Sequence, residues 1–438
     1  MIRIKEKKTQ SLINMLDRKT PPVHFQFPDI TIPEPETSHL GNGMPIHVFN
    51  STSQPVVKLE IVLRNGGSKT DVKVGTSFLI SKTLQSGTKS YTAQEITNQL
   101  AEKGAFLEVS SSFDYSIVTV YSLTKHLESL LPLIYEIVYL PKFPESEIEL
   151  HKNILIAGLK TQNKKSSIIA SKNFRKSVLG SDSPYGKIIR EDDLKSLSVN
   201  DLSETYQNYI SNIEIIINGN IFSELQSCIE SYFGSSAYSS NILEPLSLNT
   251  FSDQKSLTSH FPLENSIQTS IRIGKRTLQK SAPDFHKLLI ANHLLGGYFG
   301  SRLMSNIREE KGLTYGIYSS IVTFNDAAYF VIGSDVNGKD KELAIEEITK
   351  EIDKLKNGFN SKDELSLVKN HLLGSFQSDL SSPLSLCDKF RGIHLSNLTY
   401  KYYHNYLQEI KKFSEADLIY ITKNYLNSDL IYCITAGS

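Results

Sequence analysis

The chain reads as an α+β protein built from one unit used twice. Two observations predict this. Strands arranged as hairpins and helices in consecutive blocks follow the same order in both halves, the pattern of helices packed on one face of an antiparallel or mixed sheet. A set of short matches also recurs at a nearly constant spacing of about 216 residues. Lys152-Asn153 is answered by Lys369-Asn370, Phe174-Arg175 by Phe390-Arg391, Asp201-Leu202 by Asp417-Leu418, and Asn208-Tyr209 by Asn424-Tyr425. Lys103-Gly104 is answered by Lys311-Gly312 at a somewhat shorter spacing, as a loop of different length requires. The organisation that follows is an N-terminal extension over 1–37, a first domain over 38–234, a Ser- and Asn-rich linker over 235–254, and a second, homologous domain over 255–438.

Each element has a local cause. In "PVVKLEIVLR", Val57, Leu59, Ile61 and Leu63 alternate with Lys58 and Glu60, predicting a half-buried strand. An apolar helix follows over 75–86. Thr92 and Glu95 have capping-box spacing and open a helix to about Lys103. Strands are expected at 105–111 and 115–122, turning at Phe113-Asp114. Leu127, Leu130, Leu131, Ile134 and Val138 have helical spacing, although Pro132 falls among them. Helices fill 145–177 and 199–210, and "IEIIING" at 213–219 is a strand. The second half repeats this: a strand at 268–274, helices at 282–296 and 300–311, strands at 313–321 and 326–336, helices to about 426, and a last strand at 430–436.

Composition narrows the function classes. With 438 residues, 39% hydrophobic and 21% charged, the chain has enough apolar material for sizeable cores. Lys plus Arg total 47, as do Asp plus Glu, so no whole-protein field favours nucleic acid or an anionic membrane. No apolar run reaches the length of a spanning helix, and no signal-peptide pattern follows the cationic N-terminus. Cys228, Cys387 and Cys433 are odd in number and far apart, the pattern of free thiols in a reducing compartment. A soluble, cytoplasmic protein is expected.

The histidines supply no spaced zinc motif. His39 and His47 flank a turn, and His286 and His293 lie seven apart on one helix, without a glutamate at ligand spacing. His293 reads as a core or helix-contact residue. "LLGGYFGSRL", with Gly296, Gly297 and Gly300, follows no strand and reads as a helix–helix turn rather than a phosphate loop. The most informative stretch is "SRLMSNIREEKGLTYGIYSS". Its helix should stop at Gly312, placing Arg308 in the last turn and Tyr315 at the start of a strand. A guanidinium and a phenol converging at one sheet edge make a clamp for a peptide carbonyl or an oxyanion. The same pair also fits a dipole-complementing Arg and a half-buried strand Tyr. Alternation puts Tyr315 in phase with apolar Leu313 and Ile317, with Tyr318 on the opposite face as the fallback.

That stretch resembles the C-terminal-half signature of the insulinase (pitrilysin) superfamily of metallopeptidases, which includes the mitochondrial processing peptidases. The two-fold repeat is similar to that family's paired domains, and the resemblance runs from about Ser38 to the end. It implies that Arg308 and Tyr315 bind and polarise a substrate peptide. It also exposes a loss. Family catalysts carry H-x-x-E-H on a first-half helix, and the matching frame here, "GTSFLISKTLQSGT" at 75–88, holds Phe78, Ser81 and Lys82 at the three motif positions. The further glutamate ligand is expected near Ala157, Gly158 or Leu159. None of these ligates zinc, and no carboxylate remains as a general base.

The resemblance therefore implies a non-catalytic, substrate-binding subunit of a heterodimeric zinc peptidase. By the same resemblance no metal or other cofactor is expected on this chain, and zinc is expected in a homologous partner that carries H-x-x-E-H. Arg308 and Tyr315 act in trans on an unfolded peptide laid along a sheet edge. Neither nucleic acid nor a membrane is an expected partner. The alternative is a structural or binding pseudoenzyme, akin to respiratory-complex core subunits, in which Arg308 and Tyr315 are relics.

Overall fold

Two sheets carry the repeat. In the first half the strands are β1 (Glu36–His39), β2 (Pro45–Asn50), β3 (Val56–Leu63), β4 (Phe106–Ser111), β5 (Ser116–Leu123) and β6 (Ile213–Gly219). Their spatial order is β1-β2-β6-β3-β5-β4. In the second half they are β7 (Thr258–Pro262), β8 (Gln268–Arg276), β9 (Thr314–Thr323), β10 (Ala328–Asn337) and β11 (Tyr432–Gly437), in order β7-β11-β8-β10-β9. Without the edge strand β1 the two orders coincide. Even the parallel pairs match, β2 with β6 and β7 with β11, in otherwise antiparallel sheets. These relations come from a computed structural model that describes residues 30–51, 54–243, 257–428 and 431–438. Most of the expected N-terminal extension and part of the linker lie outside those residues. Ile32–Ser438 form one compact unit.

The helices are α1 (Thr76–Thr83), α2 (Ala93–Glu102), α3 (Thr124–Tyr139), α4 (Glu145–Gln162), α5 (Ser166–Leu179), α6 (Glu191–Ser196), α7 (Val199–Ile210) and α8 (Ser223–Phe233). In the second half they are α9 (Phe285–Asn292), α10 (Lys341–Lys354), α11 (Lys362–Asp379), α12 (Pro383–His394), α13 (Lys401–Lys412) and α14 (Glu415–Ile421). Two of the repeated dipeptides mark helix ends. Lys103-Gly104 and Lys311-Gly312 are C-terminal stops with the glycine at φ 59° and 62°. Asp201 and Asp417 complete capping boxes with Ser198 and Ser414. Each also takes a lysine, Lys73 at 2.7 Å and Lys287 at 2.8 Å. Helix α3 runs through Pro132 because Leu127, Leu130, Leu131, Ile134 and Val138 all enter the core, and that burial outweighs one lost hydrogen bond.

β3 departs from its expected half-burial. Lys58 and Glu60 are as buried as their apolar neighbours, because the outer face of the first sheet is covered by α12 from the second half. The cover is reciprocal: α5 of the first half packs on β8 and β11 of the second sheet. Across one contact Lys58 pairs with Glu60 at 2.9 Å and Asp388 at 3.0 Å, while Arg391 bonds to Glu60 and to Asp388. Across the other, Arg272 Nε donates to Ser171 Oγ at 3.0 Å and Ser270 Oγ to Ser166 Oγ at 2.9 Å. Phe174 packs there with Val331 and Ile434. Each sheet thus has its own half's helices on one face and a helix from the other half on the second.

Among the described residues no helix is long and apolar enough to cross a membrane. Cys228, Cys387 and Cys433 are free thiols.

Replacing Arg391 with Met removes one partner of buried Glu60 but leaves Lys58. Urea unfolding is expected to give a loss of about 2 kcal/mol, below the cost of a fully orphaned buried charge, with an unchanged m-value.

Candidate functional site

The frame that carries the metal motif in family catalysts is built here as a helix start. Gly75 adopts φ 95° and caps α1, a conformation suited to glycine. The Asp71 carboxylate accepts hydrogen bonds from Ser77 N at 3.1 Å, Ser77 Oγ at 3.0 Å and Tyr209 Oη at 3.1 Å, anchoring the first turn. Burial pushes the Asp71 carboxyl up to about 6, with the Ser77 and Tyr209 bonds pulling the other way.

On that helix Phe78 lines a cavity of about 440 Å³, together with Phe113, Leu155, Gly158, Leu159 and Ile189. Ser81 is buried, and its hydroxyl donates to the Phe78 carbonyl at 2.7 Å. Lys82 is exposed, its ammonium 5.9 Å from the Phe78 ring centroid. Of the positions expected for the fourth ligand, Gly158 and Leu159 line the same apolar wall and Ala157 carries only a methyl. These residues do not fit zinc: a ring, an alcohol committed to the backbone and an ammonium offer no ligand set.

Arg308 and Tyr315 are brought together. The helix carrying Arg308 ends in a π-helical turn, Met304–Glu310, and Leu313 N donates to Ile307 O at 3.0 Å as Gly312 reverses the chain. Arg308 Nε then donates to the Tyr315 carbonyl at 3.0 Å, and its guanidinium lies 4.6 Å from the Phe299 ring centroid. The Tyr315 side chain is 95% exposed although Ile317, in the same nominal phase, is buried. A bulge accounts for this. Thr314 pairs with Val336 and Ile317 with Ser334, so Tyr315 and Gly316 together oppose Asp335 and the phase shifts. Tyr318 lies against Gly333 and is not needed as a substitute. Tyr315 sits at the start of β9, the outermost strand of its sheet, and Arg308 in the helical turn that leads into it.

Phe299, which braces Arg308, went unremarked in the sequence because it lies inside the glycine turn. That turn is a helix–helix turn as expected, and at Gly296 a Cβ would come within 2.6 Å of Ser319 N. His293 is a half-buried helix-contact residue, stacked on Tyr298 with Nε2 3.0 Å from His371 Nδ1.

Two sheets of one topology, each fronted by helices and joined in tandem, with an Arg/Tyr motif in the second half, define a duplicated peptidase-type α+β protein. The first half matches the family "Insulinase (Peptidase family M16)" over residues 48–185, and residues 196–372 match "Peptidase M16 inactive domain". The chain belongs to peptidase family M16. It is 23% identical to "Uncharacterized zinc protease YmxG" of Bacillus subtilis, over 78% of this chain and 83% of that one. It is 22% identical to "Non-peptidase homolog YmxG" of Helicobacter pylori, over 73% and 75%. Its fold matches the crystal structure of a peptidase M16 inactive domain from Pseudomonas fluorescens with a TM-score of 0.80, at 22% identity, over 92% of this chain and 98% of that one.

Two outcomes test the site's construction. Because Tyr315 faces solvent, Tyr315→Phe is expected to move the thermal midpoint by no more than about 0.5 kcal/mol equivalent, as a calorimetric scan reads it. Asp71 holds a proton more tightly folded than unfolded. Its contribution is therefore fully present below about pH 4 and is lost as pH rises through about 6. Denaturant midpoints of Asp71→Asn should lack that decline between pH 4 and 6.

Proposed function

We propose that this chain is the non-catalytic, substrate-binding subunit of a heterodimeric zinc peptidase. The observation that carries the reading is a contrast within one molecule. Positions 78, 81 and 82 hold no ligand, while a braced, half-buried Arg308 stands beside an exposed Tyr315 at a sheet edge. Arg308 orients the backbone of an unfolded peptide through its charged donors. The exposed Tyr315 hydroxyl donates to the oxygen that gains charge during acyl transfer. The outermost strand β9 offers its open side to the peptide as an added strand. The homologous H-x-x-E-H partner supplies the zinc, which polarises the carbonyl and activates water. Three free thiols suit a cytoplasmic setting for the pair.

The test is co-purification with an H-x-x-E-H relative from the same organism, followed by hydrolysis of an unfolded peptide. Arg308→Ala with Tyr315→Phe should leave the complex intact and lower kcat by about 100-fold or more. An intact double-variant complex that cleaves at the wild-type rate overturns the proposal. The relative named a non-peptidase homolog favours a second reading, a binding or structural pseudoenzyme. Under that reading the complex forms but neither variant affects hydrolysis.

A further inference from the structure

A second cluster lies away from the frame at 75–88, where the two halves meet. His47 on β2, Glu214 on β6 and His394 at the end of α12 bring three ligand-type atoms within 4.8 Å of one another. His47 and Glu214 are 3% and 1% exposed, and His394 is half-buried. His394 Nε2 is 3.0 Å from Glu214 Oε2, which also accepts from Arg64 at 3.2 Å. Two buried atoms in this cluster have no hydrogen-bond partner: His47 Nε2 and Glu214 Oε1. Leaving both unpaired is costly, and a ligand that accepts two lone pairs removes the cost.

We infer that His47, Glu214 and His394 form a divalent transition-metal site, with zinc the best-matched ion, that fastens α12 of the second half to the sheet of the first. Two imidazoles and a carboxylate are a zinc-type donor set, and a solvent molecule completes the tetrahedron. At bond lengths near 2.0 Å, tetrahedral ligands lie roughly 3.3 Å apart, so modest side-chain rotation closes the set. His47 Nδ1 is 2.9 Å from Thr37 Oγ1. With Nδ1–H donating to that hydroxyl oxygen, the Nε2 lone pair is left for the cluster, as an outer partner orients a ligand histidine. Arg64 keeps Oε2 and leaves Oε1 to the metal. A neighbouring cavity of about 510 Å³, reached past Thr37, His394 and Tyr400, gives an entry path.

The repeat supplies an internal control. The Phe-Arg dipeptides of α5 and α12 equate His394 with Val178. The closing glycines of β6 and β11, both at positive φ, equate Glu214 with Tyr432. The strand ladders then equate His47 with Ser259. Val178 and Tyr432 belong to one apolar cluster. The architecture packs well there without ligands, so the polar triad is particular to one side of the duplication.

The experiment uses the full chain, stripped with chelator and titrated with Zn²⁺ alone, then with Co²⁺ for its tetrahedral absorption bands. One equivalent should bind, with a rise in thermal midpoint. His394→Gln, at the most exposed ligand, should fold normally in metal-free buffer yet weaken binding at least about tenfold and abolish the midpoint rise. His47→Gln should do the same, and His293→Gln, at the other histidine pair, should leave binding intact. Less than one equivalent on the wild-type chain, or full binding that survives His394→Gln, overturns the inference.

Discussion

Each sheet can be buried on both faces only because each half lends a helix to the other. The contact of α12 on the first sheet places Arg391, Asp388, Lys58 and Glu60 in one partly buried charge cluster. Desolvating Lys58, Glu60 and most of Arg391 is expensive, and their mutual pairing offsets that cost only in the correct register. The contact therefore fixes how one half sits on the other, and it sets where His394 meets His47 and Glu214. The matching contact of α5 on the second sheet uses neutral hydroxyls and Arg272 instead. Ancestry has kept the geometry, while the chemistry of the two contacts has diverged.

The same divergence runs through the candidate sites. In the first half, α1 keeps a capped, well-anchored start, with Asp71 holding Ser77, but presents a phenylalanine to an apolar cavity. In the second, the loop after Arg308 keeps a glycine reversal, a bulge and an aromatic brace, all of which aim polar groups outward. A pair under no demand but packing has little reason to leave a tyrosine 95% exposed. The absence of ligands on one side and a braced Arg308 beside an exposed Tyr315 on the other are what support the proposal of binding, rather than bond cleavage, for this chain.

Local rules carried far. The alternation of β3, the capping boxes at Thr92, Ser198 and Ser414, and the stop at Gly312 each follow from interactions within a few residues, so they are legible without a fold. The strands β1, β2 and β7 and the short helices α6 and α8 went unpredicted. Lys58 and Glu60 read as solvent-facing because their partners, Asp388 and Arg391, are more than three hundred residues away. Tyr315 read as ambiguous because a bulge is a property of two strands, not of one.

By itself the sequence determined the duplication, most of the order of elements and the chemical identity of the residues at 78, 81, 82, 308 and 315. Repeats, caps and periodicity act at short range, and a missing imidazole is missing in any fold. Only the tertiary structure decided which faces are covered, that Tyr315 is bare while Ile317 is buried, and that His47, Glu214 and His394 converge. Those facts depend on long-range packing of α5 and α12 across the two sheets, which no local pattern encodes.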